Sequence, residues 1–156
     1  MSEPVGYMER SRAYYAAQGF EKPYQWARFD EVPFTPLQKP LSQSTVTVIT
    51  TAALHDRQPL EPRAVASFET AEAPCRLYAG DLSWDKQATH LDDINTFMPI
   101  AVLRALAGAG RIGALARRFH CAPTDYSHRR TCEVDAPDLL ARAREDGADI
   151  ALLVPL

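Results

Sequence analysis

Residues 135–154, DAPDLLARAREDGADIALLV, describe a helix followed by a strand and decide the fold class. Asp135 is of a type that caps helix N-termini, and Pro137 lies in the first turn, where its missing N–H is tolerated. Gly147 is placed to end the helix in a left-handed conformation. The apolar run Ile150–Val154 is continuous, which is typical of a parallel-sheet strand that is buried on both faces.

Other segments extend this unit into an alternation of strands and helices. Residues 45–51, TVTVITT, are short and β-branched and predict a strand, and residues 119–122, FHCA, predict a second parallel strand. A helix is expected to open at Pro99, whereas residues 56–74, with three prolines, are expected to be irregular. We therefore predict a doubly wound α/β fold with a mainly parallel sheet and helices on both faces.

The N-terminal part of the chain has a different composition. Residues 7–18 predict a helix that stops at Gly19, and the segment that follows is rich in proline and aromatic residues. So many prolines exclude a long helix or a central strand. We expect an N-terminal helix and an extended arm over residues 1–44, and an α/β domain over residues 45–156.

Composition restricts the partners and the compartment. The chain has 17 basic and 20 acidic residues and a net charge of −3, so we expect no nucleic-acid partner. No apolar run is long enough to span a membrane, and the N-terminus does not have the pattern of a signal peptide. Three cysteines without tight spacing predict reduced thiols in a cytoplasmic protein.

Candidate site residues lie after the predicted strands, because open parallel sheets bind ligands beyond the carboxyl ends of their strands. Thr50 and Thr51 follow the first strand, and we assign them to substrate binding through hydroxyl or backbone donors. Thr124, after the second strand, is a third substrate-binding candidate. His120 and His128 are the candidates for proton donation.

Asp93 is a further catalytic candidate. It shares one loop with His90, Asp92 and Asn95, and carboxylates beside a histidine can act in acid–base catalysis. The same residues can instead cap the helix that begins near Pro99. The sequence leaves both roles of Asp93 open.

Two other patterns resemble binding motifs. Residues 108–113, GAGRIG, match G-x-G-x-x-G, but they follow a helix and not a strand, so we predict a turn and no cofactor site there. His120, Cys121, His128 and Cys132 are of ligand type, but their spacing matches no common zinc pattern. We therefore assign no metal ligands.

Six further stretches along the chain form one pattern when they are taken together. They are YQWARFDEVPF (24–34), VITTA (48–52), DINTFMP (93–99), GRIG (110–113), RFHCAPT (118–124) and DGADIALLVP (146–155). In this order they resemble the glycine/sarcosine/betaine/D-proline reductase selenoprotein B family, and the resemblance covers nearly the whole chain.

The resemblance implies a redox residue that this chain does not contain. In the family the last of these stretches leads into Cys-x-x-Cys-His, or into selenocysteine in place of the first cysteine. This chain ends at Leu156, the residue before that motif. We therefore expect selenocysteine directly after Leu156 in the intact protein, and an α/β domain truncated at its C-terminus.

The family also implies an activity and partners. It implies reductive cleavage by a thiol or selenol nucleophile, acting on a small amine or amino acid such as glycine, betaine, sarcosine or D-proline. The implied partners are other subunits of a reductase complex or a thiol/selenol redox partner. Five of the site candidates are expected to line the pocket, namely Thr50, Thr51, His120, Thr124 and His128, and the family match covers all of these except His128.

Two functions of other classes stay open at this point. One is a non-catalytic α/β domain for binding or scaffolding. The other is a metal-binding domain that uses His120, His128 and the cysteines.

Overall fold

The computed structural model describes residues 6–22, 28–52, 64–75, 90–123 and 127–155. The chain forms two compact units, Met1–Phe34 and Thr35–Leu156. In the first unit, helix α1 spans Tyr7–Ala17, and Gly19 follows it with φ of +87°, as the sequence predicts. The described aromatic side chains of the arm in this unit, Phe29 and Phe34, are exposed.

The second unit is built on a five-stranded sheet, and its mixed α/β class confirms the predicted fold class. Three strands run parallel to β1, while β2 runs antiparallel to β4. The strands are β1 (Thr45–Thr50), β2 (Ala66–Glu69), β3 (Ala114–Leu115), β4 (Arg118–Cys121) and β5 (Ile150–Val154).

Strands β3 and β4 form one interrupted strand along a single edge of β1. Val46 pairs with both β3 and β5, and Ile49 pairs with both β4 and β5. Because a strand has two edges, β3 and β4 must both lie on the edge opposite β5. Two extra residues, Ala116 and Arg117, shift the register between them. The spatial order is therefore β2, β3/β4, β1, β5.

Helices cover both faces of the sheet. Helix α2 spans Ile100–Gly108 and packs with Phe97 and Met98 on an apolar face. The other face carries a longer helix, formed without a break by α3 (His128–Arg130), a π-helical turn (Thr131–Asp135) and α4 (Ala136–Glu145). None of the helices in the described part of the chain has the length and apolar character that crossing a membrane requires.

The alternation of β4 separates the two faces. Phe119 and Cys121 point into the apolar core under α2, where Val46 and Val48 of β1 also lie. The alternate side chains of β4, Arg118 and His120, point to the face under α4. One short strand therefore contributes to an apolar core and to a polar layer.

Three predictions about elements are wrong. β2 lies inside the segment expected to be irregular. The helix before β5 begins at His128 and not after Asp135, which is itself helical and buried. β5 is not buried on both faces, because Leu152 and Leu153 are 39% and 70% exposed. In the described chain β5 pairs only with β1, so it is an edge strand.

Candidate functional site at the strand tips

The parallel strands end in one row. Thr50 pairs with Cys121 on one side and with Val154 on the other. The residues that follow, Thr51, Ala122 and Pro155, therefore leave the sheet side by side. We call this edge the rim, and it is the edge at which open parallel sheets bind ligands.

The two threonines at the tip of β1 have different positions. Thr50 is buried, and its Oγ1 accepts a hydrogen bond of 3.1 Å from the Ala52 N–H. Its carbonyl also accepts from the Ala122 N–H at 2.8 Å, which joins the tips of β1 and β4. Thr51 is half-buried at the rim. Thr50 thus shapes the turn, and Thr51 is the better placed to meet a ligand.

His120 lies next to the rim but is enclosed beneath α4. Its side chain is completely buried, and Nδ1 lies 2.9 Å from Ser67 Oγ on β2. Arg142 Nη1 donates to the same Ser67 oxygen at 2.9 Å. The hydroxyl hydrogen can then point to Nδ1, which leaves the imidazole proton on Nε2.

The Nε2 of His120 faces a carboxylate that is too far away to bond it. Its distance to Asp146 Oδ2 is 3.7 Å, and within the described residues Nε2 has no hydrogen-bond partner. Burial lowers the pKa of His120 below its ordinary value, and the negative charge of Asp146 opposes this shift. The imidazole is therefore neutral at pH 7 and does not reach solvent.

Asp146 is the centre of a polar cluster under α4. Its two carboxylate oxygens each accept from Arg118 Nε at 2.9 Å, while Arg118 Nη2 donates to Glu145 at 3.0 Å. We call this set the α4 cluster: Ser67, Arg118, His120, Arg142, Glu145 and Asp146. It connects the helix to two strands and provides a hydrogen-bond partner for one of the two ring nitrogens of the buried His120.

His128 is placed differently from His120. It is exposed in the first turn of α3, and its Nε2 lies 3.7 Å from the exposed Cys132 Sγ. In a strand–helix–strand unit the helix begins near the carboxyl ends of the strands, so this pair lies on the rim side of the molecule. The sequence analysis considered His128 and Cys132 only among possible metal ligands and did not predict that the two side chains meet. The spacing of four residues, which places two residues on one face of a helix, is the signal that could have predicted this contact.

Asp93 acts as a cap in the structure. Its Oδ1 accepts from the Asn95 N–H at 3.0 Å and from the Asn95 side chain at 3.3 Å. The capped element is the 3₁₀ helix Ile94–Thr96, not α2, which begins after Pro99. Thr124 lies outside the described residues.

The residues considered for metal binding are not brought together. Cys121 points into the apolar core, where burial raises the pKa of its thiol to about 12. His120 is enclosed on the opposite face, and the His128–Cys132 pair is exposed. Within the described ranges, no three His, Cys, Asp or Glu side chains form a group that could hold a metal ion.

The glycine pattern at residues 108–113 forms a turn after α2. Gly110 has φ of +67°, and Gly113 N donates to the carbonyls of Leu41 and Ser44. A Cβ on Gly113 would lie 2.5 Å from the backbone of Gln43. These glycines are needed for a tight connection into β3.

Comparison of the chain with protein-family models, with curated proteins and with solved structures found no match.

Proposed function

We propose that this chain forms part of a reductase similar to the selenoprotein B family, with its nucleophile in a segment that follows Leu156. The nucleophile is selenocysteine or cysteine. The observation that carries the proposal is the row formed by Thr50, Cys121 and Val154. A residue placed soon after this row would enter the rim, where a substrate can meet groups from several strands.

The exposure of β5 supports the same proposal. Leu153 is 70% exposed on the face that α4 covers elsewhere, so this part of the sheet has room for another helix. A right-handed crossover from β5 to a further strand beyond it would place its helix on that face. A nucleophile between the strand tip and such a helix would lie at the helix N-terminus, which favours the anionic form of a thiol or selenol.

Residues of this chain would then bind the substrate and move protons. Thr51 and Thr124 would hold the carboxylate of a small amine or amino acid, and His128 would donate a proton at the rim. Thr50 would hold the turn that positions Thr51. Because His120 is enclosed, its part would be to fix β4 to α4.

Thiol or selenol chemistry also has consequences for the cellular compartment and for the source of electrons. The three cysteines are free thiols, which fits a reducing cytoplasm, and we propose that the protein acts there. Reductive cleavage consumes electrons, so a thiol or selenol redox partner or other subunits of a reductase complex must supply them.

The coding sequence provides the first test. We expect an in-frame TGA codon or a cysteine codon after the Leu156 codon, followed by codons for any two residues and then for cysteine and histidine. TAA or TAG at that place, or unrelated downstream codons, would refute the proposal.

The second test is enzymatic. The extended protein should form a thiol or selenol adduct with an alkylating reagent at its new residue and should show thiol-dependent reductase activity. The 156-residue chain should be inactive in the same assay. Thr51→Ala in the extended protein should lower substrate affinity, and Leu106→Ala, a surface change on α2, serves as the control.

A non-catalytic docking domain is the second candidate. It is favoured by the exposed apolar side chains of β5, Leu152 and Leu153. The two functions differ in one measurement: a docking domain would show no reactive thiol or selenol after Leu156 in the natural gene product.

A further inference from the structure

The three cysteines of the chain lie in three different environments. Cys121 is buried, with a pKa raised to about 12, and is therefore unreactive. Cys75 and Cys132 are both exposed. Among the residues that the structure describes, Cys132 is the only cysteine with a histidine ring nitrogen within hydrogen-bonding distance of its sulfur.

The helix itself creates the pairing of Cys132 with His128. Residues four apart on a helix lie on one face, and here Cys132 Sγ and His128 Nε2 are 3.7 Å apart. This distance allows the thiol to donate its proton to the imidazole. The thiolate is the nucleophilic form of cysteine, so a base in this position activates it.

Two features of the surroundings support a reactive thiol. Cys132 lies in the π-helical turn Thr131–Asp135, and such turns occur frequently at functional sites. The nearby carboxylate of Glu133 is paired with Arg129 at 3.0 Å. This pairing reduces the repulsion that Glu133 would otherwise exert on a thiolate.

We infer that Cys132 and His128 form a thiol–imidazole pair that exchanges with low-molecular-weight disulfides. The Cys132 proton moves to His128 Nε2, and Sγ attacks one sulfur of the disulfide. The disulfide bond breaks as the new mixed disulfide forms on Cys132. The departing thiolate takes the proton from His128, so one half of the disulfide is reduced while Cys132 is oxidised.

This site rests on neither the segment after Leu156 nor the proposed reductase activity. Its chemistry uses side chains that are all present in the 156-residue chain. A failure of one proposal would therefore leave the other standing.

The test measures mixed-disulfide formation at each cysteine of the intact 156-residue protein. Oxidised glutathione is added at pH 7, and the modified peptides are quantified by mass spectrometry. Cys132 should be modified, whereas Cys121 should stay unmodified while the protein is folded. His128→Ala should slow the modification of Cys132 about tenfold. This effect is smaller than that of a general base in a closed active site, because the His128–Cys132 pair is exposed to water.

Controls separate the effect of the base from a change in folding. His90→Ala removes another exposed histidine and should leave the rate at Cys132 unchanged. The rate at Cys75 should be equal in the wild type and in His128→Ala. At about pH 10 the two proteins should modify Cys132 at similar rates, because hydroxide in the solvent then acts as the base in place of His128.

Two results would overturn the inference. One is an unchanged rate at Cys132 in His128→Ala at pH 7. The other is a rate difference between the two proteins that persists at pH 10, since that would show an effect on access and not on ionisation.

Discussion

The substitution Asp146→Asn tests how much the α4 cluster stabilises the fold. The Asp146 side chain is only 3% exposed, and both of its oxygens accept from Arg118. Loss of one partner of a fully buried ion pair costs about 3–5 kcal/mol. Arg118 is partly exposed and keeps its bond to Glu145, so we expect a loss of about 2–3 kcal/mol in the free energy of unfolding.

The matched control is Glu145→Gln. Glu145 binds the same arginine at 3.0 Å, but its side chain is 67% exposed. Exposed ion pairs contribute about 0–1 kcal/mol, so this variant should lose about 0.5 kcal/mol or less. Urea denaturation of both variants measures the two losses in free energy of unfolding. In thermal denaturation, Asp146→Asn should have a midpoint about 5–10 °C below that of the wild type.

His120 provides an independent measure of the same substitution. Asp146 raises the pKa of His120, against the lowering by burial, so Asp146→Asn should move the His120 titration to lower pH. Proton NMR of the imidazole measures this, with His120→Gln to assign the signal. Equal stability losses in the two acidic-residue variants, or a His120 titration that moves to higher pH, would refute the reasoning.

Three further predictions concern a tight turn and two pH dependences. Gly113→Ala should cost about 2–4 kcal/mol in chemical denaturation, because the added carbon would lie 2.5 Å from backbone, whereas Gly108→Ala meets open space and should not destabilise. The pKa of His120 is lowered in the folded state, so as the pH falls the unfolded chain binds the proton before the folded chain does. The free energy of unfolding should therefore decrease as the pH drops below about 6.5. In His120→Gln this decrease should be absent from denaturation curves measured between pH 5 and 7. The pKa of Asp149 is lowered by its hydrogen bond to Lys39, so this pair stabilises the fold at pH values above the ordinary carboxyl pKa and ceases to do so as the pH falls. Lys39→Ala should raise the Asp149 pKa in an NMR titration, and an unchanged pKa would contradict the pairing.

The elements that sequence predicted correctly are those with strong local patterns. The β-branched run of β1, the apolar run of β5 and the glycine after α1 each specify a structure within a few residues. β2 was missed because its four residues follow a proline-rich stretch and have no such pattern. Its place depends on antiparallel pairing with β4, which is a contact between distant parts of the chain.

The start of the last helix was misplaced for a physical reason. Asp135 followed by Pro137 has the appearance of a helix start, since proline lacks the N–H that an interior position needs. In the structure the helix passes through this point by widening into the π-helical turn, where the Ala136 N–H donates to the Thr131 carbonyl. Nothing in the local residue types distinguishes such a passage from a true start.

The candidate site could be predicted in part. Sequence located the strand tips and therefore the row of Thr50, Cys121 and Val154. It could not show that His120 lies beneath a helix, because this depends on which face α4 covers. The alternation of charged and apolar residues in RFHC, residues 118–121, was the one local signal of the α4 cluster.

The two-sided character of β4 also protects the pairing of the sheet. Sliding this strand by one residue against β1 would exchange its faces, placing Arg118 and His120 among the apolar side chains and Phe119 among the charges. Both changes are unfavourable together, so neighbouring alignments are far higher in free energy than the native one. The four residues of β4 thereby disfavour misfolded states in which this strand is shifted by one residue against β1.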